Sequence, residues 1–546
     1  VKLKRFISIT TIVAMTVGTL AACGGGKPAS GNTAAASGET SAPGNKYQTT
    51  YGSKQFDNVT ITVELFDRSN APAGSTITDN RWTRYVNEQM NKVGITVEFL
   101  PVPRTDEVPK MQTLMATGEA PDITITYNYT YADEYYGKGG TWDLSEFVDG
   151  ADQAQNLKKY LGDVVLEMGR RKDGALQGIV ARRATTANTN MIIRNDLLDE
   201  VGAGIPTTPE ELYQVLLKIK EAHPTGTPYA YFFSLHDGAN SACFRNNMAM
   251  AFSQVANDPK KIDIGYNYDY YYDPGQKEYF RYINKLYNAG LLDSEFYTTT
   301  TDTLHADIVN GEVAFYEINV NYNVDVLRGT LLKTLKENIP TADMVSLPTL
   351  KNVFDGKQYT ADYSPGGLIC IVPKTATEEQ VEACITYLDW LATQEGGYAI
   401  YHGFEGEHYN LVDGVPVVKD PAYNANDKDW IRTDLFLVGN QGYFATEEDF
   451  ISCTGKENPD YEQYVLDNYH NAIVGNRQAT TPYSSPIEAD LRTDLSVIAK
   501  EWVATIATCI PEEFDANWEK WMKLAKDAGI DQVIEQRTAY FDEIYQ

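Results

Sequence analysis

From Val59 to Tyr127 the spacing of apolar residues changes between two and 3.6 in the order strand, helix, strand, helix, strand. No other feature limits the fold of this chain as much. Val59-Thr-Ile-Thr-Val-Glu-Leu65 alternates at period two and predicts a strand. A helix is expected over Thr76 to Val93, then a second strand in "GITVEFLPVP". A second helix over Val108 to Thr117 carries Met111, Leu114 and Met115 on one face and stops at Gly118, before a third strand in "DITITY". Short connections between such elements give a parallel sheet covered by helices.

A second series starts near Ile192, where "MIIRNDLLDEVG" passes from strand into helix. The next helix has Thr208 and Glu211 as a capping box, Pro209 at its first position and a stripe of Leu212, Val215, Leu216 and Ile219. Another begins at Thr377 with Gln380 completing the box, buries Val381, Cys384, Ile385 and Leu388, and ends at Gly396-Gly397. The fold class is therefore α/β, and two α/β bodies fit better than one. No repeat of 20 to 50 residues is visible, which argues against a solenoid.

Ahead of these bodies, Lys2, Lys4 and Arg5 precede a short apolar run, Phe6 to Ala22, diluted by Ser8, Thr10, Thr11 and Thr16. A positive head, a short apolar stretch and small residues before a break describe a secretory signal. The spanning alternative needs roughly 20 consistently apolar residues. Leu20-Ala21-Ala22-Cys23 resembles a bacterial lipobox. The resemblance implies cleavage before Cys23, a diacylglyceryl group on its thiol, and attachment to the outer face of the cytoplasmic membrane. The segment 23–57 is rich in Gly, Ser, Thr and Ala and is expected to be a flexible tether.

Loss of residues 1–22 removes three positive charges and no negative ones from a chain of formal net charge −29. Nucleic acid, which is bound through clustered Lys and Arg, is thereby an unlikely partner. Beyond Cys23 the cysteines are Cys243, Cys370, Cys384, Cys453 and Cys509, an odd number without C-x-x-C spacing, so neither a complete disulfide framework nor a zinc site is indicated. Buried hydrophobes are the expectation for most of them. Tyrosine is enriched, 37 against 19 Phe, with clusters in "ITYNYTYADEYYG" and "YNYDYYYDPGQKEYFRYINKLY". Such rings suit half-wet grooves, and equally serve as ordinary rim and core residues.

Several stretches together resemble the family 1 extracellular solute-binding lipoproteins that feed ABC importers: "KMQTLMATGEAPDITIT", "TWDLSEFVD", "IIRNDLLDEVGAGIPTTPEELYQVL", "LYNAGLLDSEFYT", "DIVNGEVAFY", "LDWLATQEGGYAIYHGFEGEHY" and "WMKLAKDAGIDQVIEQRTAYFDEI". The resemblance implies a two-lobe periplasmic-binding-protein-like fold, each lobe a sheet flanked by helices, joined by hinge strands that close on a ligand. Crossings are placed near Ala187, Pro365 and Ala425, giving a first lobe of 58–187 with 366–425 and a second of 188–365 with 426–546. The implied ligand is an oligosaccharide or similar polyhydroxylated molecule, delivered by a monomer to ABC permease subunits. Many relatives carry a calcium loop after the helix ending here at "KIKEAHP", but this chain continues "TGTPYAYFF" without carboxylates, so no calcium is expected there.

No G-x-S-x-G, H-E-x-x-H or phosphate-cradling loop occurs, so no catalytic residue, metal or cofactor is indicated. His402 and His408 are read as structural. Ligands of open α/β sheets sit beyond the carboxyl ends of strands, which selects Asp67 and Arg68 after the first strand and Tyr127, Asn128 and Tyr129 after the third. The other reading of Asp67 and Arg68 is a solvent-facing turn. From the second lobe, the resemblance adds Asn319, Asn321 and Tyr322 after "EVAFYEINVNYNV"; Ser234 and His236 follow "YAYFF". Asn188 and Asn190 lie near the first crossing, where they either reach the cleft or hold hinge hydrogen bonds. Tyr270, Tyr271 and Tyr272 are read as an outer-surface loop. A peptide-binding importer subunit and a lipid-tethered surface glycosidase are the rival functions.

Overall fold

A computed structural model describes residues 55–546 except 227, 231–244, 321–330, 441, 458, 482, 484 and 546. The strand Val59–Asp67 pairs in parallel with Ile95–Pro103 from Val59 opposite Ile95 to Asp67 opposite Pro103. A parallel bridge from Val63 to Ile123 joins this pair to Thr124–Thr126, with the Glu64 amide donating to the Ile123 carbonyl at 2.9 Å. The expected parallel order thus holds for the first three strands.

The rest of that sheet is mixed. Gly366–Ile371 runs antiparallel between Thr124–Thr126 and Ile179–Arg183, and Gly439–Asn440 closes the edge parallel to Ile179–Arg183. Direction follows from the route of the chain. Ile179–Arg183 runs towards the crossing into the second lobe, whereas Gly366–Ile371 begins at the return crossing and so enters from that end. Gly439–Asn440 lies past Ala425, the expected third crossing, so the first lobe's sheet draws on chain beyond that boundary.

The second lobe's sheet has the order Tyr229–Ala230, Phe315–Asn319, Thr189–Arg194, Met344–Leu347. Period-two alternation splits its side chains. Met191, Ile193 and Phe315 join one core with the helices Pro209–Ala222, Gly275–Asn288 and Phe514–Asp527, while Ile192, Tyr316 and Ile318 pack into the other.

Local chemistry explains where the helices start. The first runs over Arg81–Met90 rather than from Thr76, because Asn80 is extended and its side chain accepts from the amides of Trp82 and Thr83. Thr76 instead closes a turn, donating its amide to the Asp79 carbonyl at 3.1 Å. Asn91–Val93 continues as one 3-10 turn to Gly94, whose φ is 81° and where a Cβ would fall 1.9 Å from the Phe56 carbonyl oxygen. The second helix is Glu107–Thr117, ended by Gly118 in the left-handed region.

Thr377 and Gln380 form the expected reciprocal box on Glu378–Leu391. That helix stops at Leu391, and Gly396 and Gly397 lie in the following π turn, packed against the carbonyls of Trp390 and Leu391. At Pro209–Ala222 only half of the box forms: Thr208 accepts from the Glu211 amide, but the Glu211 carboxylate takes the amide and hydroxyl of Thr207 instead.

The tyrosine-rich stretch is corrected most. Asp269–Tyr272 is a short helix, not an outer loop. Tyr270 is 2% exposed and stacks on Trp521 with centroids 4.8 Å apart, and Tyr268, Tyr279 and Tyr282 are buried with it. Tyr271 remains near the surface, donating to Asp531 at 2.6 Å. Cys370, Cys384 and Cys453 are buried free thiols, with burial pushing the Cys384 thiol far up. Among the described residues no helix is long and apolar enough to cross a membrane.

Candidate ligand cleft at the hinge

The strands of the first lobe end together. Asp67, Pro103, Thr126, Arg183 and Asn440 are the last residues of five of them, all running in the same direction, opposite to Gly366–Ile371. Tyr127 follows directly. Its amide and the Thr126 hydroxyl both donate to Glu107 Oε1 at 2.7 Å, and Arg104 donates to the other oxygen of Glu107 at 2.7 Å. The Tyr127 ring stacks on Phe66 with centroids 6.3 Å apart, and the Arg104 guanidinium lies 4.8 Å from the Tyr127 centroid. Asn440 Nδ2 donates to the Tyr127 hydroxyl at 3.1 Å. Asn440 can stand there because residue 367 is glycine: a Cβ on Gly367 would come within 2.8 Å of that amide nitrogen.

Around this centre sit the other strand-end residues. The half-buried Tyr129 donates its hydroxyl to the Gly367 carbonyl at 2.8 Å. Asn128 caps the helix Tyr129–Gly137, its side chain accepting from the Thr130 amide at 3.1 Å. Arg68 is paired through two hydrogen bonds of 2.7 and 2.8 Å to the buried Asp434. Burial pushes the Asp434 carboxyl up and Arg68 opposes it. Asp67 accepts from the Ser69 amide at 2.8 Å, so it shapes the turn after the first strand. Burial raises the Tyr127 hydroxyl above its usual value, against the pull of Arg183, Arg104 and Arg68.

From the second lobe, Asn319 Nδ2 donates to the Tyr363 hydroxyl at 3.0 Å, and the Arg183 guanidinium lies 4.9 Å from the Tyr363 centroid. Tyr127, Tyr129, Arg183, Tyr363 and Asn319 thus mark a continuous line from one lobe to the other. Asn321, Tyr322, Ser234 and His236 lie outside the described residues, as does part of the loop expected to lack calcium. Asn190 does not reach the cleft: it is 0% exposed and donates to the Asn468 carbonyl at 2.8 Å, which is a hinge-side structural bond. Asn188 accepts from the Val320 amide through its backbone carbonyl.

Behind this line the crossings are tied by one residue. Arg477 Nε donates to Asp362 Oδ2 at 2.5 Å, Nη1 donates to Glu447 at 2.7 Å, and Nη2 donates to the Thr186 hydroxyl. Burial holds the Asp362 carboxyl up at about 6 in spite of Arg477. Burial also acts to raise Glu447, but the Arg477 contact and the bonds from Thr185 and Thr186 outweigh it and leave that carboxyl below its usual value.

Sequence reasoning misses Arg104, Arg183, Tyr363 and Asn440. The strand-end rule that selects Arg68 also selects Arg104, which follows the second strand in "PVPRTDE". His402 and His408 are buried and structural: the His402 ring meets the Tyr443 carbonyl at 3.0 Å, and His408 meets Asp427 at 2.9 Å while accepting from the Phe404 amide. Among the described residues no group of side chains has the arrangement of a metal site.

Comparison with known proteins agrees with this architecture. The polygalacturonan/rhamnogalacturonan-binding protein YtcQ of Bacillus subtilis (strain 168) is 21% identical over 469 residues, 84% of this chain and 88% of that protein. In fold, the chain is similar to an extracellular solute-binding protein from Bifidobacterium longum subsp. infantis, with a TM-score of 0.61 at 16% identity, covering 92% of this chain and 100% of the other. It is also similar to an HMO-binding, ABC-transporter-associated solute-binding protein from Bifidobacterium longum infantis, with a TM-score of 0.59 at 16% identity over 89% and 99% of the two chains. Residues 85–416, more than half of the sequence, match the family described as bacterial extracellular solute-binding protein, and the chain belongs to that family.

Proposed function

We propose that this protein captures an oligosaccharide-like, polyhydroxylated ligand between its lobes by hinge closure and passes it unchanged to ABC permease subunits. The observation that carries this reading is the line of Tyr127, Tyr129 and Tyr363 with the amides of Asn440 and Asn319, where the lobes meet. Flat phenol rings offer faces to the C–H surfaces of sugar rings, and planar amides pair with hydroxyls. The names of the relatives support a carbohydrate over a peptide. The first lobe is taken as 58–187 with 366 to a third crossing between Asn440 and Glu447, and the second as 188–365 with the chain beyond that crossing. Cys23, as the lipid site, would hold the protein on the outer face of the cytoplasmic membrane, acting as a monomer.

Thermal shift against oligosaccharide and peptide panels tests the function. A ligand at a hundred times its Kd adds about 2.7 kcal/mol to stability. Stabilisation by an oligosaccharide that is recovered intact supports the reading. Stabilisation by peptides alone, or cleavage of the sugar, overturns it in favour of the importer subunit for peptides or the glycosidase.

A further inference from the structure

Four arginines gather at the strand ends of the first lobe, in a chain whose formal net charge is −29. Two are neutralised on the spot, Arg68 by Asp434 and Arg104 by Glu107. A third, Arg182, spends its guanidinium on the carbonyls of Tyr160 and Ala445 at 2.9 and 2.8 Å. Arg183 differs from all of them. Among the described residues it has no carboxylate partner, and only its Nε is engaged, donating to the Gly366 carbonyl at 3.1 Å. Among the described residues neither terminal nitrogen of this half-buried side chain has a partner, and the guanidinium lies over the Tyr363 ring, 4.9 Å from its centroid.

Withdrawing an unpaired cation from water is unfavourable unless something supplies the missing bonds. A sugar hydroxyl replaces one of them. A carboxylate presents two coplanar oxygens that match the guanidinium fork and cancels the charge as well. We propose that the ligand is an acidic oligosaccharide and that Arg183 receives one of its uronate carboxylates, with Tyr363 as the platform beneath. This rests on the oligosaccharide reading above and narrows it to one substrate class.

Calorimetry on the full chain tests it, using trisaccharides of galacturonate, glucuronate and mannuronate, each beside its carboxyl-reduced neutral counterpart. At least one acid form should bind about thirtyfold or more tightly than its reduced partner, the range expected for a charged hydrogen-bonded contact. Arg183→Gln should bring the two within about threefold, and Arg183→Lys, a point charge without the fork, should fall between. The comparison on the unmodified protein stands even where a variant folds poorly. Equal binding of acid and reduced forms in every pair, or binding of a neutral oligosaccharide but of no acid form, overturns the acidic ligand while leaving the oligosaccharide reading intact, and a preference for the acid form that survives Arg183→Gln overturns Arg183 as its receptor. If no saccharide binds, both fall.

Discussion

Tyr127 is positioned from behind by Glu107, which accepts from its amide and from Thr126 while Arg104 neutralises the charge. Its ring is half-buried and faces the line between the lobes, so truncation removes a contact surface more than a core element. Tyr127→Ala should weaken the ligand by about 2 kcal/mol, roughly thirtyfold, in calorimetry with the oligosaccharide that gives the largest thermal shift. Tyr270 makes the opposite case. Stacked on Trp521 in the second lobe's core, it should cost about 3 to 5 kcal/mol of stability as Tyr270→Ala in urea titration and leave affinity within about threefold. Equal affinity losses at the two positions would remove Tyr127 from the site. Composition shows that tyrosine is abundant but not which ring is wet, since Tyr127 and Tyr270 sit in equally aromatic, equally acidic stretches and only the tertiary fold separates them. Glu64 carries a pH dependence. Burial raises its carboxyl to about 8, against a bond from the Ile125 amide. The folded chain therefore holds a proton that the unfolded chain releases near 4.5, so this group's contribution to stability falls as pH rises from about 5 to 8. Glu64→Gln should flatten that slope and raise stability at pH 8 by a few kcal/mol, on the order of the shift. An unchanged slope in urea titrations from pH 5 to 8 would show that Glu64 is ionised when folded.

At the scale of elements, legibility follows the distance over which the signal acts. The box of Thr377 and Gln380 spans three residues and is read correctly, and so are the buried faces of Glu378–Leu391 and Pro209–Ala222. Thr76 to Asp79 misleads because its polar residues fit a helix start as well as the turn they form, and Asn80 takes the cap. Gly439–Asn440 is two residues long and owes its existence to Ile179–Arg183, far away in the chain, so no local window contains it. The last helix, Ile530–Ile544, shows how much a distant bond can carry. Arg537, fully buried on it, donates to the carbonyls of Ile264 and Tyr483 at 2.9 and 2.7 Å and to Glu488 at 3.1 Å. Arg537→Ala leaves Glu488 buried without its cation and should lower unfolding stability by about 3 to 5 kcal/mol. A loss under about 1 kcal/mol in denaturant midpoint would mean that water already serves these groups.

For the molecule as a whole, the strand-helix alternation shows two α/β bodies but not how they are coupled, because the coupling residue works at long range. Arg477 reaches Thr186, Asp362 and Glu447 across sequence separations of 291, 115 and 30 residues. These partners lie on the three segments that leave or enter the first lobe's sheet, after Arg183, before Gly366 and after Asn440. Motion that opens the cleft should turn about this knot, since its bonds join the crossings to one another. A carboxylate pair bridged by one guanidinium tolerates small rotations, whereas the packed faces of the two sheets do not deform. Closure should then be a rigid-body change, visible as a smaller radius of gyration in small-angle scattering when the oligosaccharide giving the largest thermal shift is added at saturation. Tyr127→Ala should require about thirtyfold more ligand for the same contraction and reach the same final radius, because it alters the contact and not the hinge. Arg477→Ala should do the reverse, keeping the direct contacts while changing the radius of the ligand-free protein. A radius that stays constant for the unmodified protein at saturation, with binding verified by calorimetry in the same buffer, would show that capture occurs without the lobes moving.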